Sequence, residues 1–499
     1  MPLARKAFLV RRIPSTIGMT RLPVRFVNGW LETDEGNVNL LRPRISRSRT
    51  CAVYSIMPRA PLEGLIIIAL LLLLSPAAAD DVTDANRYWP QWRGPLGTGV
   101  APHANPPVKW SGTKNIRWKI KLPGHGHSSP VVWADRIFVT TAIPSGKAIV
   151  PRYSGAPGAH DNQPVTHHHS FVALAVNRHD GDILWQRTVR KELPHEGGHN
   201  SASLASNSPV TDGELLFAFF GSRGLYCLDV DGELRWEKDY GRMRTKHGHG
   251  EGSSPVLYDD TLIVNWDHEG KSFLLALDKR TGDQRWKAER DEPTSWATPI
   301  VVEHEGRPQA IVSGTTRIRA YDLATGKVIW SCGGLSANIV ASPVASGGML
   351  YAGSSYDTRA MLAIRLDGAR GNITETEHVV WRRIRGAPYV PSPLLYGGVL
   401  YYLAHYQNVL TRVIAKTGKD HPGGMRLGGI RNIYASPVAA AGRIYITDLD
   451  GTTLVISHAG NPKQLAMNKL DDRFSASAAI VGRDLILRGE DFLYCIGED

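Results

Sequence analysis

The sequence predicts an all-β fold, an eight-bladed β-propeller of four-stranded antiparallel blades, and three observations predict it. A Ser-Pro-apolar unit recurs with a spacing in the middle forties, a fixed Gly-to-Trp spacing recurs within the repeats, and the 499 residues include 50 Gly and 31 Pro. Abundant turn formers suit many short strands joined by tight turns. A repeat of about 40–50 residues with this texture is typical of propeller blades.

The Ser-Pro unit marks the entry to the innermost strand of each repeat. Six copies and two degenerate ones begin at Ser129, Ser208, Ser254, Thr298, Ser342, Ser392, Ser436 and Ser477. These eight anchor residues are 79, 46, 44, 44, 50, 44 and 41 residues apart. The long first interval includes an insertion at about residues 144–168, rich in Pro, Gly and His, which we expect to be a surface loop of the first blade.

A tryptophan follows the hairpin glycine of several repeats. Trp comes four residues after Gly181, Gly232, Gly282 and Gly326, and Trp381 follows Gly368 after a hairpin nine residues longer. The glycine supplies a positive φ at the turn, and the fixed spacing sets which face of the outer strand the indole occupies. We therefore expect six structural tryptophans to dock neighbouring blades: Trp118, Trp185, Trp236, Trp286, Trp330 and Trp381.

The two ends of the repeat region complement each other. Residues 115–121 resemble an outer strand without preceding strands, and residues 492–496 resemble a third strand that lacks a fourth. We expect the N-terminal strand to complete the last blade and to close the ring, which removes both exposed edges.

The residues of the hairpins resemble the tryptophan-docking motif of the pyrroloquinoline-quinone (PQQ)-type propeller family, A-x-D-x-x-T-G-x-x-x-W. The segments 276–286 and 320–330 both match it. The resemblance covers about residues 88–499 and implies the propeller fold, whereas the family includes quinoprotein dehydrogenases, BamB-type assembly lipoproteins and many exported proteins of unknown role. The opening segment 89–95, WPQWRGP, is similar to the start of exported PQQ-repeat proteins of planctomycete-type bacteria.

The charge distribution argues against nucleic-acid binding. The net charge is +11, but residues 1–79 have eleven Lys and Arg against four Asp and Glu, which leaves only +4 for the remaining 420 residues.

Residues 57–79 have the pattern of a signal peptide, with an apolar run at 65–74 and Ala77-Ala78-Ala79 before Asp80. An apolar run of ten residues is too short for a spanning helix, so we expect export with cleavage, the alternative being an uncleaved anchor.

These features divide the chain into four segments. They are a basic extension at 1–56, with Met57 as the expected true start, the signal peptide at 57–79, a lead-in at 80–109 and the propeller at 110–499. We therefore expect a periplasmic or cell-envelope location. Cys51 would be lost with the leader, and the spacing of Cys227, Cys332 and Cys495 favours buried thiols, although one disulfide stays possible.

The segments that precede the anchors are the candidate functional site, because they border the central channel. The candidate ligand-binding residues are His127, His199, Asn200, His249, Glu251, Trp296, Asn338, Tyr389, Arg431 and Tyr434, and the candidate metal ligands are His125, His127, His247 and His249. Such a convergence suits a ligand or a metal, although polar residues also line channels that merely hold water. A formal H-E-x-x-H stands at 195–199, but Gly197 and Gly198 are poor helix formers, which argues against a zincin site.

Three classes of function stay open, one of them an extracytoplasmic sensor region, which would require an uncleaved segment at 65–74. The first is a non-catalytic binding or scaffold propeller of the cell envelope, resembling BamB in architecture, with an envelope protein, a saccharide or a small molecule as its partner. The second is an oxidoreductase that uses PQQ with Ca²⁺ or another metal. The resemblance implies for that enzyme an adjacent Cys-Cys pair, which this sequence lacks, so the enzyme is the less favoured interpretation.

Overall fold

The computed structural model describes residues 84–422 and 425–498, which fold into a β-propeller. The basic extension, the signal peptide, Met57 and Cys51 lie outside the described residues. In the described part of the chain, eight antiparallel sheets follow one another in sequence. No helix in that part is long and apolar enough to cross a membrane. Its helical elements are one turn of α-helix at Asp84–Arg87 and two 3₁₀ turns at Gly221–Arg223 and Lys246–Gly248.

Each blade has four strands that run from the centre of the ring outwards. The first four blades contain Val131–Trp133, Arg136–Ser145, His168–Asn177 and Ile183–Glu192; Val210–Thr211, Leu215–Phe219, Leu225–Asp229 and Leu234–Lys238; Val256–Tyr258, Thr261–Trp266, Ser272–Asp278 and Gln284–Arg290; Ile300–His304, Arg307–Ser313, Ile318–Asp322 and Val328–Cys332. Blades five to seven contain Val344–Ser346, Met349–Ser354, Ala360–Arg365 and Val379–Arg383; Leu394–Tyr396, Val399–Tyr402, Val409–Ile414 and Met425–Arg426; Val438–Ala440, Arg443–Thr447, Thr452–Ser457 and Gln464–Lys469.

The eighth blade combines the two ends of the propeller. Ala479–Val481, Asp484–Arg488 and Phe492–Ile496 form its first three strands, and Ile116–Lys121 pairs antiparallel with the third. In this register Trp118 lies opposite Cys495 and Lys121 opposite Phe492. The dependence of the ring on this strand stays a prediction, which a deletion tests below.

The hydroxyls of the eight anchors form a closed ring of hydrogen bonds. The backbone N–H of each anchor donates to the side-chain oxygen of the next, through Ser129, Ser208, Ser254, Thr298, Ser342, Ser392, Ser436 and Ser477, at 2.8–3.0 Å. The last bond runs from Ser477 back to Ser129. The two degenerate copies keep a hydroxyl, since Thr298 accepts like serine and Ser477 loses only the following proline. The ring therefore explains why the repeat requires Ser or Thr at this position.

Five of the six tryptophans lie on the hairpin of the following blade. The indole N–H of Trp286, for example, donates to the Leu323 carbonyl at 2.7 Å, and Gly326 lies so close to the ring that a Cβ there would be 2.6 Å from it. Trp118, Trp185, Trp236 and Trp381 repeat this contact with the carbonyls of Arg178, Val230, Lys279 and Ala415.

Trp330 is the exception to this pattern. Its indole donates to Gln309 Oε1 of its own blade at 3.2 Å. The following hairpin is the long one, and its Gly371–Asn372 pairs parallel with Trp330 and Ser331 as a fifth strand of blade four. The extra residues of this hairpin thus cover the indole of Trp330, whereas each shorter hairpin contacts its tryptophan through a glycine.

Cys227, Cys332 and Cys495 are buried free thiols. Burial raises the pKa of the Cys332 thiol to about 11. These side chains therefore act as small apolar residues of the blade cores.

Candidate functional site

The central channel contains a cavity of about 400 Å³, on the side of the hydroxyl ring where the chain enters the innermost strands. Eight of the ten candidate ligand-binding residues line it: His127, His199, His249, Glu251, Trp296, Asn338, Tyr389 and Tyr434. Asn200 and Arg431 do not. Asn200 is exposed on the rim, and the exposed Arg431 side chain pairs with Asp450 at 3.4 Å.

The lead-in segment closes the cavity from below. Trp92 lines the cavity, and the next residue, Arg93, is 2% exposed although it lies in the N-terminal lead-in. The Arg93 guanidinium donates to the carbonyls of Pro437 and Thr98 at 2.8 and 2.7 Å and also to that of Pro393. Pro393 and Pro437 directly follow two anchors, so Arg93 caps the channel just beyond the hydroxyl ring. Burial lowers the Arg93 pKa to about 9.

Among the described residues, Glu251 is the one carboxylate that lines the cavity, and its oxygens already have partners. Oε2 accepts from the Ser222 backbone N–H at 2.6 Å and lies 3.2 Å from the Arg223 guanidinium, while Oε1 accepts from the Ser222 hydroxyl. Gly221 approaches so closely that a Cβ there would be 1.6 Å from Oε2. The carboxylate is therefore built into the wall rather than available to a ligand.

The insertion loop lies over one side of the cavity. Strands of blade one extend to Ser145 and resume at His168, and the loop between them packs on the segments that precede blades two and three. Asn162 Nδ2 donates to the His247 carbonyl at 2.7 Å, and Gln163 N–H donates to the Gly198 carbonyl at 2.9 Å. This packing brings His160 into the cavity lining beside His249. The insertion thus contributes to the cavity wall.

Aromatic side chains line the opposite side. Tyr389 lies with its ring centre 5.2 Å from that of His405, and the His405 ring is 4.9 Å from that of Tyr434. Tyr356 extends this cluster towards the opening, 6.0 Å from Tyr389. The Trp296 indole is fixed by a 2.7 Å hydrogen bond to the Gly250 carbonyl. A ligand in the cavity would therefore meet rigid aromatic faces.

One of the described lining residues has a strained backbone. Val390 has a φ of 69°, which a β-branched residue such as valine rarely adopts, whereas the φ of 56° at Asn338 is one that asparagine tolerates. Asn338 is 4% exposed, and its Oδ1 has no hydrogen-bond partner. Strained positions and unpaired buried polar atoms both cluster where a protein must meet a ligand.

Four of the five described histidines that line the cavity, His127, His199, His249 and His405, have lowered pKa values and are neutral at neutral pH. Burial lowers the pKa of His127 to about 4, with a further contribution from Arg488, and burial also lowers the pKa of His405 to about 4. The pKa of His249 falls to about 4 through burial and the neighbouring His199, and burial lowers that of His199 as well. Neutral imidazoles offer both a hydrogen-bond donor and an acceptor.

The four candidate metal ligands are not brought together. His125 lies on the exposed side, 4.0 Å from Glu490, and His127 is separate from the cluster formed by His247 and His249. Among the described residues, three donor atoms approach within 4.8 Å of one another in two places, His195 with Glu196 and Glu251, and His304 with Glu305 and Asp367. The first group includes Glu251, whose oxygens are already paired.

The H-E-x-x-H segment forms no helix. His195 donates to the Met243 carbonyl at 2.9 Å, whereas His199 lines the cavity. The two imidazoles therefore lie in different surroundings. The lack of a helix agrees with the expectation from the two glycines between them.

Sequence reasoning missed four lining residues that the fold brings in from outside the segments before the anchors. His160 comes from the insertion and Trp92 from the lead-in, while Tyr356 and His405 come from the loops after the second strands of blades five and six. The high histidine content of the insertion was the only sequence signal for His160.

Comparison with known proteins agrees with this architecture. The sequence profile described as outer membrane protein assembly factor BamB matches residues 169–421 and 296–487. The chain belongs to this family of PQQ-type propellers. A comparison with curated protein sequences finds no match.

Solved structures with TM-scores above 0.5 share the fold at low sequence identity. A europium-containing methanol dehydrogenase is 11% identical with a TM-score of 0.56, covering 83% of this chain and 98% of its own. The quinohemoprotein alcohol dehydrogenase from Comamonas testosteroni is 10% identical with a TM-score of 0.52, covering 84% and 82%. BamB from Moraxella catarrhalis is 14% identical with a TM-score of 0.49, covering 72% and 98%.

The cavity residues do not fit PQQ with Ca²⁺. PQQ carries three carboxylates, yet no Lys or Arg belongs to the described cavity lining. Ca²⁺ prefers six to eight oxygen ligands with carboxylates among them, and the one lining carboxylate, Glu251, is held by Ser222 and Arg223. Buried anions need charged or multiple hydrogen-bonding partners, so this lining would leave the cofactor largely uncompensated.

Proposed function

We propose that this protein is a binding propeller of the cell envelope whose central cavity takes an uncharged, hydroxyl-rich small molecule, with a neutral saccharide as the favoured class. The observation that carries the proposal is the composition of the cavity wall. Aromatic faces and neutral hydrogen-bonding groups line it, without a free carboxylate, lysine or arginine among the described lining residues.

The chemistry of a sugar ring matches this wall. Its apolar face stacks on aromatic rings, for which Trp296, Tyr389 and Tyr434 are placed. Its hydroxyls both donate and accept hydrogen bonds, as neutral imidazoles and serine hydroxyls require. The Asn338 side chain hydrogen-bonds to Tyr389, and its Oδ1 has no protein partner, so a ligand hydroxyl can donate to it. A cavity of about 400 Å³ lies in the usual range for small-molecule sites.

The envelope location rests on the family and on the expected signal peptide at 57–79. Export with cleavage would release the propeller into the periplasm, and a scaffold role towards an envelope protein is compatible with the same fold. The small-molecule role is favoured because the strain at Val390 and the unpaired atom of Asn338 both lie inside the cavity.

The experiment is a titration of the purified propeller with neutral mono- and oligosaccharides, followed by indole fluorescence, since Trp92 and Trp296 line the cavity. We expect saturable binding that Asn338→Ala weakens about tenfold, equivalent to the roughly 1.4 kcal/mol of one hydrogen bond. Trp381→Phe, at an outer blade contact, is the matched control and should bind like the wild type.

The competing function is a PQQ- or metal-dependent oxidoreductase. Stoichiometric binding of PQQ with Ca²⁺, together with reduction of an acceptor dye by alcohols or sugars, would replace the proposed function by that one. We expect neither.

A further inference from the structure

Three histidines meet where the insertion loop covers the cavity. The ring centres of His160 and His247 are 4.9 Å apart, those of His160 and His249 are 4.8 Å apart, and those of His247 and His249 are 5.3 Å apart. His160 comes from the insertion, and the other two come from the segment before blade three. We refer to these three residues as the histidine cluster.

Backbone carbonyls of the insertion loop determine which ring nitrogen carries the proton. His160 Nδ1 lies 2.8 Å from the Gly158 carbonyl, His247 Nδ1 lies 3.2 Å from the Pro157 carbonyl, and His249 Nε2 lies 3.3 Å from the His160 carbonyl. A carbonyl oxygen only accepts, so each of these nitrogens donates. In the neutral form of each ring the other nitrogen therefore carries the lone pair: Nε2 of His160, Nε2 of His247 and Nδ1 of His249.

This arrangement is the one that metal-ligating histidines use. Such a histidine donates its second N–H to a carbonyl or carboxylate, which fixes the tautomer and the ring orientation. Here one short loop supplies all three acceptors. His199, whose ring centre lies 4.7 Å from that of His249, adds a fourth imidazole beside the cluster.

We propose that the histidine cluster binds one divalent transition metal ion of the kind that prefers imidazole ligands, with Zn²⁺ as the representative. Imidazole nitrogens bind Zn²⁺, Cu²⁺ and Ni²⁺, whereas Ca²⁺ and Mg²⁺ prefer oxygen. The three donor atoms are not within 4.8 Å of one another without the ion, so binding requires each ring to pivot about its hydrogen bond to the loop carbonyl. The exposed His160 and the half-buried His247 have room for it.

Binding of the ion would join the insertion loop to the segment before blade three above the cavity. The proposal goes beyond the saccharide function and does not depend on it, because the ion is tested alone.

The experiment is a titration of the tag-free propeller with Zn²⁺ against a competing chelator, with metal content determined by elemental analysis. We expect one equivalent of Zn²⁺, and at least tenfold weaker binding in His160→Ala and in His247→Asn. Asn suits the φ of 57° at position 247, which keeps the fold of that variant intact. His103→Ala and His168→Ala remove exposed imidazoles elsewhere and should leave the affinity unchanged.

Two outcomes would overturn the proposal. One is the absence of stoichiometric Zn²⁺ in the wild type, and the other is a loss of affinity in His168→Ala equal to that in His160→Ala, which would place the ion on the 167–169 run. X-ray absorption of the Zn²⁺-loaded wild type provides a test that needs no variant. Three imidazole nitrogens at about 2.0 Å support the cluster, and a shell of oxygen atoms alone contradicts it.

Discussion

Removal of one hydroxyl from the ring of anchors should destabilise the propeller by an amount that the structure sets. Ser392 is 1% exposed and its Oγ accepts the backbone N–H of Ser342 at 2.9 Å. Ser392→Ala leaves that amide buried without an acceptor, which costs about 1–3 kcal/mol. Because Ser392 is absent from the cavity wall, cavity water offers no replacement acceptor.

The assay is the free energy of unfolding from denaturant titration, supported by calorimetry. For a propeller of roughly 400 residues, an entropy of unfolding of about 2.1 cal/mol/K per residue converts the loss into a Tm decrease of roughly 1–4 °C. Thr298→Ser is the matched control, since it keeps the hydroxyl at an equivalent anchor. An unchanged free energy of unfolding in Ser392→Ala, or an equal loss in Thr298→Ser, would refute the role of the ring.

Three further predictions concern the blade contacts, the first strand and the pH dependence. Trp286→Ala should lower the free energy of unfolding by about 3–5 kcal/mol, and Trp286→Phe by less because a phenyl ring keeps much of the apolar contact while the bond to Leu323 is lost; equal losses would exclude a docking role for the indole ring. Deletion of residues 110–121 should lower the Tm far more than trimming a loop does, and an unchanged Tm would show that the ring does not need this strand. The pKa of His405 is about 4 in the folded chain against about 6.5 in the unfolded chain. Its contribution to the free energy of unfolding, roughly 3 kcal/mol, is therefore complete above pH 6.5 and is lost as the pH falls towards 4. In that pH range the slope of stability against pH should be shallower in His405→Gln, and an unaltered slope would contradict the burial argument.

The repeat made the fold predictable because each anchor has both a chemical and a geometric role. The Ser-Pro units gave the number of blades, and the hydroxyl ring explains why Thr298 and Ser477 are true copies. Trp330 departs from the pattern because the Gly-to-Trp spacing fixes the strand face on which the indole lies but not the contact that the neighbouring hairpin makes with it. The long hairpin of blade five changed that neighbour.

The site was predictable only where it follows the repeat. Residues just before the anchors face the channel, which brought eight of the ten candidates to one cavity. Asn200 and Arg431 are next to the right segments but point elsewhere, since adjacent side chains on a loop diverge. His160 and His405 were missed because their positions depend on how an insertion and a peripheral loop fold back.

Native mass spectrometry of the protein purified from its own cell envelope tests the central claim most directly. The cavity wall predicts a bound neutral organic molecule whose mass fits a saccharide, and its loss when Trp296 and Tyr389 are both replaced by alanine. A bound mass equal to PQQ with Ca²⁺, retained by the wild type at one equivalent, would contradict the account.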